Sequence, residues 1–328
     1  ASIAGLDTYG KVRSRLGGIQ ARDVKPGEGP RAQLIYGRDA QDFPEYFVNG
    51  PRFGTTQQPT GAFPAPKPQF LVEPITYTGL DALQTDLNNF KNALRSKKYT
   101  EAFLPSVTPG TIEHWLNNDY YKSDEEFLFA IADAMHVEYK AIVDAGFMLQ
   151  LDDPDLPDGW QVYPQMSVAD YLKFAELRID ALNHALRDIP EDRVRFHICW
   201  GSYHGPHTHD IPLKDIIDLV YKVKAECYSI EASNPPHEHE WRVFEEAKLP
   251  AGKSLMPGVV GHFSDFIEHP QLIADRLVRY AKLVGRENVI AGTDCGLGSR
   301  VGHASVCWAK FNAMAEGAEL ATKELWGR

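Results

Sequence analysis

Cysteine is scarce in this chain, with four in 328 residues, and Cys199, Cys227, Cys295 and Cys307 lack the short paired spacings of a disulfide-stapled scaffold. Reduced thiols, and with them a cytoplasmic setting, are the expectation. No apolar run reaches the roughly 20 residues of a membrane-spanning helix, and the first residues carry no signal-peptide pattern. A positive surplus is missing as well, since 34 basic residues against 45 acidic ones leave a formal charge of −11. With no basic stripe to reverse it, that balance argues against nucleic acid or an anionic membrane as the main partner. There is no low-complexity segment and no internal repeat beyond a strand–helix period.

What is present is core: 43% of the residues are hydrophobic, enough for one large α/β domain. Residues 1–68 are the least regular part, with loops at 25–30 and 59–66 rich in Gly and Pro and short helices expected over 8–16 and 39–48. From residue 70 strands and helices alternate. Strands are expected over 70–78, 102–109, 147–153, 195–201, 227–233, 255–262 and 289–296, and helices over 80–94, 127–145, 168–186, 213–225, 269–284 and 304–325. Ser123 followed by Glu126 forms a capping box, Ser167 caps the next helix, and Gly146 and Gly285 end theirs. The order predicts a (β/α)8 TIM-type barrel over residues 69–328, with residues 1–68 as an irregular N-terminal region packed on it. Seven strands are visible where the fold needs eight. The missing one is expected within residues 1–68 or ahead of Ala1, which stands where an initiator Met would.

The chain is organised around Arg195-Phe-His197-Ile-Cys199-Trp-Gly201. Alternation along a strand points His197 and Cys199 to one face, where they can grip one ion. Later strands end on Glu231, His262 and Cys295, and from Cys199 onward these positions are 32, 31 and 33 residues apart. Such a period brings C-terminal strand ends around one mouth. Alone, His197 or Cys199 reads as a core residue. Together with Glu231 and Cys295 they form the donor set of a soft zinc site. Zinc in such a site holds a substrate thiol as thiolate, the nucleophilic form, so the expected reaction is alkylation of a small thiol. Cys227, at a strand start, and Cys307, on the last helix, default to packing.

Asp152 and Asp153 close the 147–153 strand. An Asp-Asp-Pro turn can simply end a strand, but at this mouth the pair, Asp152 above all, suits the amine of a thiol-bearing amino acid. His262 is the candidate general acid. His204, His207, His209, His237 and His239 crowd the same loops, with His237 and His239 as candidate substrate contacts. They also leave open a zinc hydrolase using His207 and His209 or His237 and His239, and a purely structural zinc is a further alternative.

Phe196-His-Ile-Cys199, Ser229-Ile-Glu-Ala-Ser233, Pro257-Gly-Val-Val260 and Asp294-Cys-Gly-Leu297, preceded by Leu149-Gln-Leu-Asp-Asp-Pro154, resemble the C-terminal catalytic barrel of cobalamin-independent methionine synthase. The match runs in order from about residue 70 to about 300 and extends to short single-barrel members, to epoxyalkane:coenzyme M transferase and, by fold, to uroporphyrinogen decarboxylase. It implies a zinc ion on His197, Cys199, Glu231 and Cys295, and an Asp152 that binds the amino group of homocysteine. It also implies a methylated folate or an epoxide as alkyl donor, so that epoxide opening or thioether cleavage stands beside methyl transfer. The chain departs from the synthase in having no folate-binding N-terminal half, in a histidine, His262, one position from the family's proton donor, and in Asn234-Pro-Pro-His-Glu-His-Glu240 after the zinc glutamate. Self-association is left open.

Overall fold

The computed structural model describes residues 8–25, 36–48, 52–53, 68–298 and 300–327. The expected loops at 26–30 and 59–66 lie outside the described residues. In chain order the elements are α1 (Thr8–Arg13), β1 (Leu16–Ala21), α2 (Asp39–Asp42), β2 (Arg52–Phe53), β3 (Gln69–Tyr77), α3 (Leu80–Leu94), β4 (Phe103–Val107), α4 (Pro109–Trp115), β5 (Leu116–Asn118), α5 (Asp124–Asp144) and β6 (Met148–Asp153). They continue with α6 (Asp155–Val162), α7 (Val168–Ala185), β7 (Val194–Ile198), β8 (Tyr203–His204), α8 (Leu213–Val220), β9 (Cys227–Ile230), α9 (Val243–Glu246), β10 (Ser254–Val260), α10 (Pro270–Val284), β11 (Gly292–Thr293) and α11 (Ala304–Trp326).

The fold is of the α/β TIM-barrel type. Six parallel strands in the order β11-β10-β9-β7-β6-β4 form a curled sheet, a half-barrel among the described residues. Strands β7 and β10 are buried at every position, as strands covered on both faces must be. β10 is accordingly apolar from Leu255 to Val260, whereas β7 sets Arg195 and His197 between apolar neighbours. The helices around the sheet start where the sequence says they should. Ser123 Oγ accepts from Glu126 N at 3.1 Å while the Glu126 carboxylate accepts from Lys122 N at 3.1 Å, and Ser167 Oγ accepts from Asp170 N at 3.2 Å.

One strand differs from expectation. β3 leaves the main sheet and joins a separate one, antiparallel to β1 and parallel to β5. Its Val72, Glu73 and Pro74 are exposed in succession, a pattern that fits a half-covered sheet and not a strand wrapped on both faces. β1 is fastened by Arg15, whose guanidinium donates to Glu138 of α5 at 3.2 Å and Asp86 of α3 at 2.6 Å. Two helices, α4 and α6, fill what reads in sequence as loop, and the expected 39–48 helix is only the single turn of α2.

That turn belongs to a strap laid over the loops beyond β6 and β7. The Asp39 carboxylate, fully buried, accepts from Thr208 N, Thr208 Oγ1, His209 N and Tyr203 OH at 2.9–3.2 Å. Arg38 donates to the carbonyls of Trp160, Tyr163 and Met166. β2 pairs antiparallel with β8.

Candidate active site

The register of the half-barrel builds the site. Asp152 of β6 lies opposite His197 of β7, and His197 opposite Ser229 of β9. All three therefore share a layer near the C-terminal strand ends, where barrels of this class carry their chemistry. Cys199 follows β7 directly, Glu231 follows β9, and Cys295 stands two residues beyond β11.

The ligand atoms of His197, Cys199 and Cys295 lie within 4.8 Å of one another, and among the described residues they are the one such group of metal-binding side chains. His197 is held by a hydrogen bond between Nδ1 and Ser229 Oγ at 3.1 Å, which leaves Nε2 buried with no partner. Glu231, 2% exposed, accepts at Oε2 from the Asn234 amide nitrogen at 2.9 Å, and its Oε1 is likewise unpartnered. Glu231 stands beside the three-residue cluster and is not part of it. Unsatisfied buried polar atoms are rare in folded proteins. Two sulfurs, an imidazole nitrogen and a carboxylate oxygen, the last two orphaned, are the donors a zinc ion takes, so the residues present fit the metal.

The electrostatics agree. Cys295 is held well below the ordinary thiol range, first by the hydrogen bond that the Cys199 thiol offers it, then by His197 and His262 against the effect of burial. The same bond, with burial, pushes Cys199 up. The Ser202 hydroxyl adds a weaker contact to the Cys295 sulfur at 3.6 Å. Burial raises Glu231, as do Asp294 and Cys295. All of this describes a thiolate-rich pocket poorly able to hold further negative charge without a cation.

Asp294, unremarked in the sequence beyond its place in the Asp294-Cys295-Gly296-Leu297 motif, turns out to be the clamp of the site. It is fully buried; Oδ1 accepts from Ala232 N at 2.8 Å and Ser233 N at 2.9 Å, and Oδ2 from Ser233 Oγ at 2.7 Å and Asn234 Nδ2 at 3.2 Å. It thereby ties the Glu231 strand end to the Cys295 strand end. The fit demands Gly258 on β10, because a Cβ there would stand 2.1 Å from Asp294 Oδ1.

The other candidates separate. Asp152 is half-buried, accepts at Oδ1 from Gln150 Nε2 at 2.9 Å, and is raised by burial, with His197 and Gln150 opposing. Asp153 points away toward α4 and α6, accepting from Leu156 N at 3.1 Å, and burial beside Asp155 pushes its carboxyl up to about 7. His262 is 1% exposed, its ring lies 4.1 Å from that of Phe263 in a tilted arrangement, and it reaches within 4.0 Å of Glu231 Oε1; neither ring nitrogen has a hydrogen-bond partner, and burial lowers its basicity. His237 spends both nitrogens on carboxylates, Glu240 at 2.8 Å and Asp210 at 3.1 Å, and stacks under Trp200 at 4.0 Å. His239 is exposed. His207 is bound to Asp210 and to the Tyr203 carbonyl, and His209 to Asp42. The geometry thus places His207, His209 and His237 in charge networks around the mouth and, among the described residues, groups none of the extra histidines as ligands.

Residues 105–319 match the profile of the cobalamin-independent synthase family, catalytic domain. The chain belongs to that family. It is 25% identical over 228 residues to a methionine synthase of Thermococcus kodakarensis, covering 68% of this chain and 58% of that protein. With a methionine synthase of Saccharolobus islandicus it shares 25% identity over 236 residues, 70% of this chain and 62% of the relative. The chain therefore spans about three fifths of the length of these relatives. A solved B12-independent methionine synthase from Shewanella sp. W3-18-1, in complex with selenomethionine, superposes with a TM-score of 0.61 over 79% of this chain and 72% of its own at 21% identity. That likeness speaks for the barrel.

Proposed function

We propose that this chain is a zinc-dependent transferase that moves an alkyl group, most simply methyl, onto the sulfur of a small amino-acid thiol of the homocysteine kind. The observation that carries the reading is the meeting of His197, Cys199 and Cys295 within 4.8 Å, with the free Glu231 Oε1 alongside. When bound to these four residues, zinc supplies one thing: it keeps an added sulfhydryl ionised at neutral pH.

The side chains do the rest. Asp152 shares the sheet face of His197 and has one oxygen not taken by Gln150, which suits it to the ammonium of the thiol substrate. His262, neutral because burial disfavours its charged form, accepts the proton the thiol gives up. Asn234 and Asp294 hold Glu231 and the loop that follows it at fixed distance from Cys295. Burial of the cluster keeps competing water away from the ionised sulfur.

The donor is a methylated folate or an epoxide; the sulfur–carbon bond forms as a carbon–nitrogen or carbon–oxygen bond breaks, and the electron pair stays on the nitrogen, which departs, or on the oxygen, which remains in the ring-opened product. Incubating the zinc-loaded protein with homocysteine and each donor, and following thiol loss with product mass, tests the reading. A thioether product with either donor is expected; release of the donor's hydrolysis product without thiol loss would favour a zinc hydrolase instead.

A further inference from the structure

Arg195, near the start of β7, is a buried cation without a counter-charge. It is 9% exposed, and among the described residues no carboxylate comes within ion-pair distance of it. Of the five N–H donors an arginine carries, one on Nη1 reaches Gln150 Oε1 at 3.2 Å, while Nε is buried with no partner. The Cys227 thiol beside it feels its charge, and the ring of Phe103 on β4 lies 4.7 Å from the guanidinium carbon, which holds the planar fork in place. Burying a charge is costly unless an anion meets it, so the half-barrel holds a fixed cation in want of an anion.

The structure also shows where that anion would lie. Side chains two apart on a strand share a face, so Arg195 points to the side of the sheet that carries His197. On the neighbouring strand Gln150 is level with Arg195 and Asp152 with His197. The Gln150 side chain joins the two levels, since its Oε1 accepts from Arg195 Nη1 and its Nε2 donates to Asp152 Oδ1 at 2.9 Å. One amide therefore separates guanidinium from carboxylate, a span of at most about 8 Å. Phe103, Gln150 and Asp152 are only half-buried, which leaves this face open to a small molecule.

An α-amino acid carries an ammonium and a carboxylate on one carbon. With a charge-assisted hydrogen bond of about 2.8 Å at each end it bridges about 8 Å, the span between Asp152 and Arg195. We propose that Arg195 binds the carboxylate of the thiol substrate whose ammonium lies on Asp152, an inference that rests on the alkyl-transfer reading. The side chain of that amino acid then extends from the level of His197 toward the sulfurs of Cys199 and Cys295. The acceptor is accordingly a free amino acid. An aminothiol without the carboxylate, or an amino acid tied up through its carboxyl group, leaves the guanidinium unanswered. Arg195 selects the substrate and takes no part in making or breaking bonds.

Calorimetric titration of the zinc-loaded protein with homocysteine and with aminopropanethiol, the same molecule less its carboxylate, tests this. The unmodified chain is expected to bind homocysteine about 10–100-fold more tightly, the worth of a hydrogen bond between charged groups. Arg195→Met is expected to remove that advantage, weakening homocysteine about 10–100-fold and aminopropanethiol less than about twofold, with zinc content unchanged. Equal affinity of the unmodified chain for the two thiols, or a loss in the variant that both thiols share or neither shows, overturns the role of Arg195 and leaves alkyl transfer standing. Binding of neither thiol to the unmodified chain overturns both. Should Arg195→Met not fold, Arg195→Lys, which keeps the charge without the fork, is expected to weaken homocysteine alone, and a loss common to both thiols or absent from both overturns the assignment.

Discussion

Four donors end on the carboxylate of Asp294, and none of them is a metal. Replacing it with alanine strands buried amides at about 1–3 kcal/mol each, and because the clamp spans two ligand-bearing strand ends, zinc affinity is expected to fall about 10–100-fold. Urea unfolding and chelator competition on Asp294→Ala check both. His237 offers a pH test. Hydrogen bonds to Asp210 and Glu240 outweigh burial and lift it from 6.5 to about 9. A raised folded-state value means stabilisation that is complete below pH 6.5 and lost as pH climbs through about 9, worth up to about 3 kcal/mol at full strength. Unfolding free energy is expected to drop across that window in the unmodified chain and to stay nearly flat in His237→Gln. The meeting of His197, Cys199 and Cys295 was legible because these residues stand on a strand period, which also brings Glu231 alongside them. Asp294's clamp was hidden, since most of its partners are main-chain N–H groups and a serine that any sequence offers.

At the scale of elements, the stretch 261–269 between β10 and α10 carries His262 and is braced by a buried pair. Lys310 of α11, fully buried, donates to Glu268 Oε2 at 3.0 Å and to the carbonyls of Gly261 at 3.1 Å and Phe266 at 2.5 Å, while Glu268 Oε1 accepts from Gly261 N at 2.8 Å. Removing one partner of such a pair costs about 3–5 kcal/mol. Lys310→Met is therefore expected to lower the urea midpoint and to speed amide exchange over 261–269, with exchange in β7 changed little; no change in either would show that the loop holds itself. Helices with an apolar face and a serine cap, α5 and α7, were readable from sequence. α4 and α6 were not, because Pro109-Gly110 and Pro157-Asp158-Gly159 carry the signs of turns, and Thr108 caps α4 through a side-chain bond to Thr111 N. β3 was readable as a strand, but its residues give no indication of which sheet it joins.

Among the described residues the whole molecule is a parallel half-barrel, with residues 36–48 laid across its mouth as a strap that lies outside the 105–319 family match. No described helix is long and apolar enough to cross a membrane, and the −11 charge favours solubility. The proposed donors come from the strand ends of β7, β9 and β11, so the site exists only when the sheet is assembled, and metal binding is expected to add to stability by linkage. Chelation of the zinc-loaded protein should lower its melting temperature. The most direct test is X-ray absorption at the zinc edge with and without homocysteine. Two sulfur ligands, from Cys199 and Cys295, rising to three when the thiol is added are expected; a shell of nitrogen and oxygen alone, or a sulfur count that the thiol leaves unchanged, would contradict the proposal.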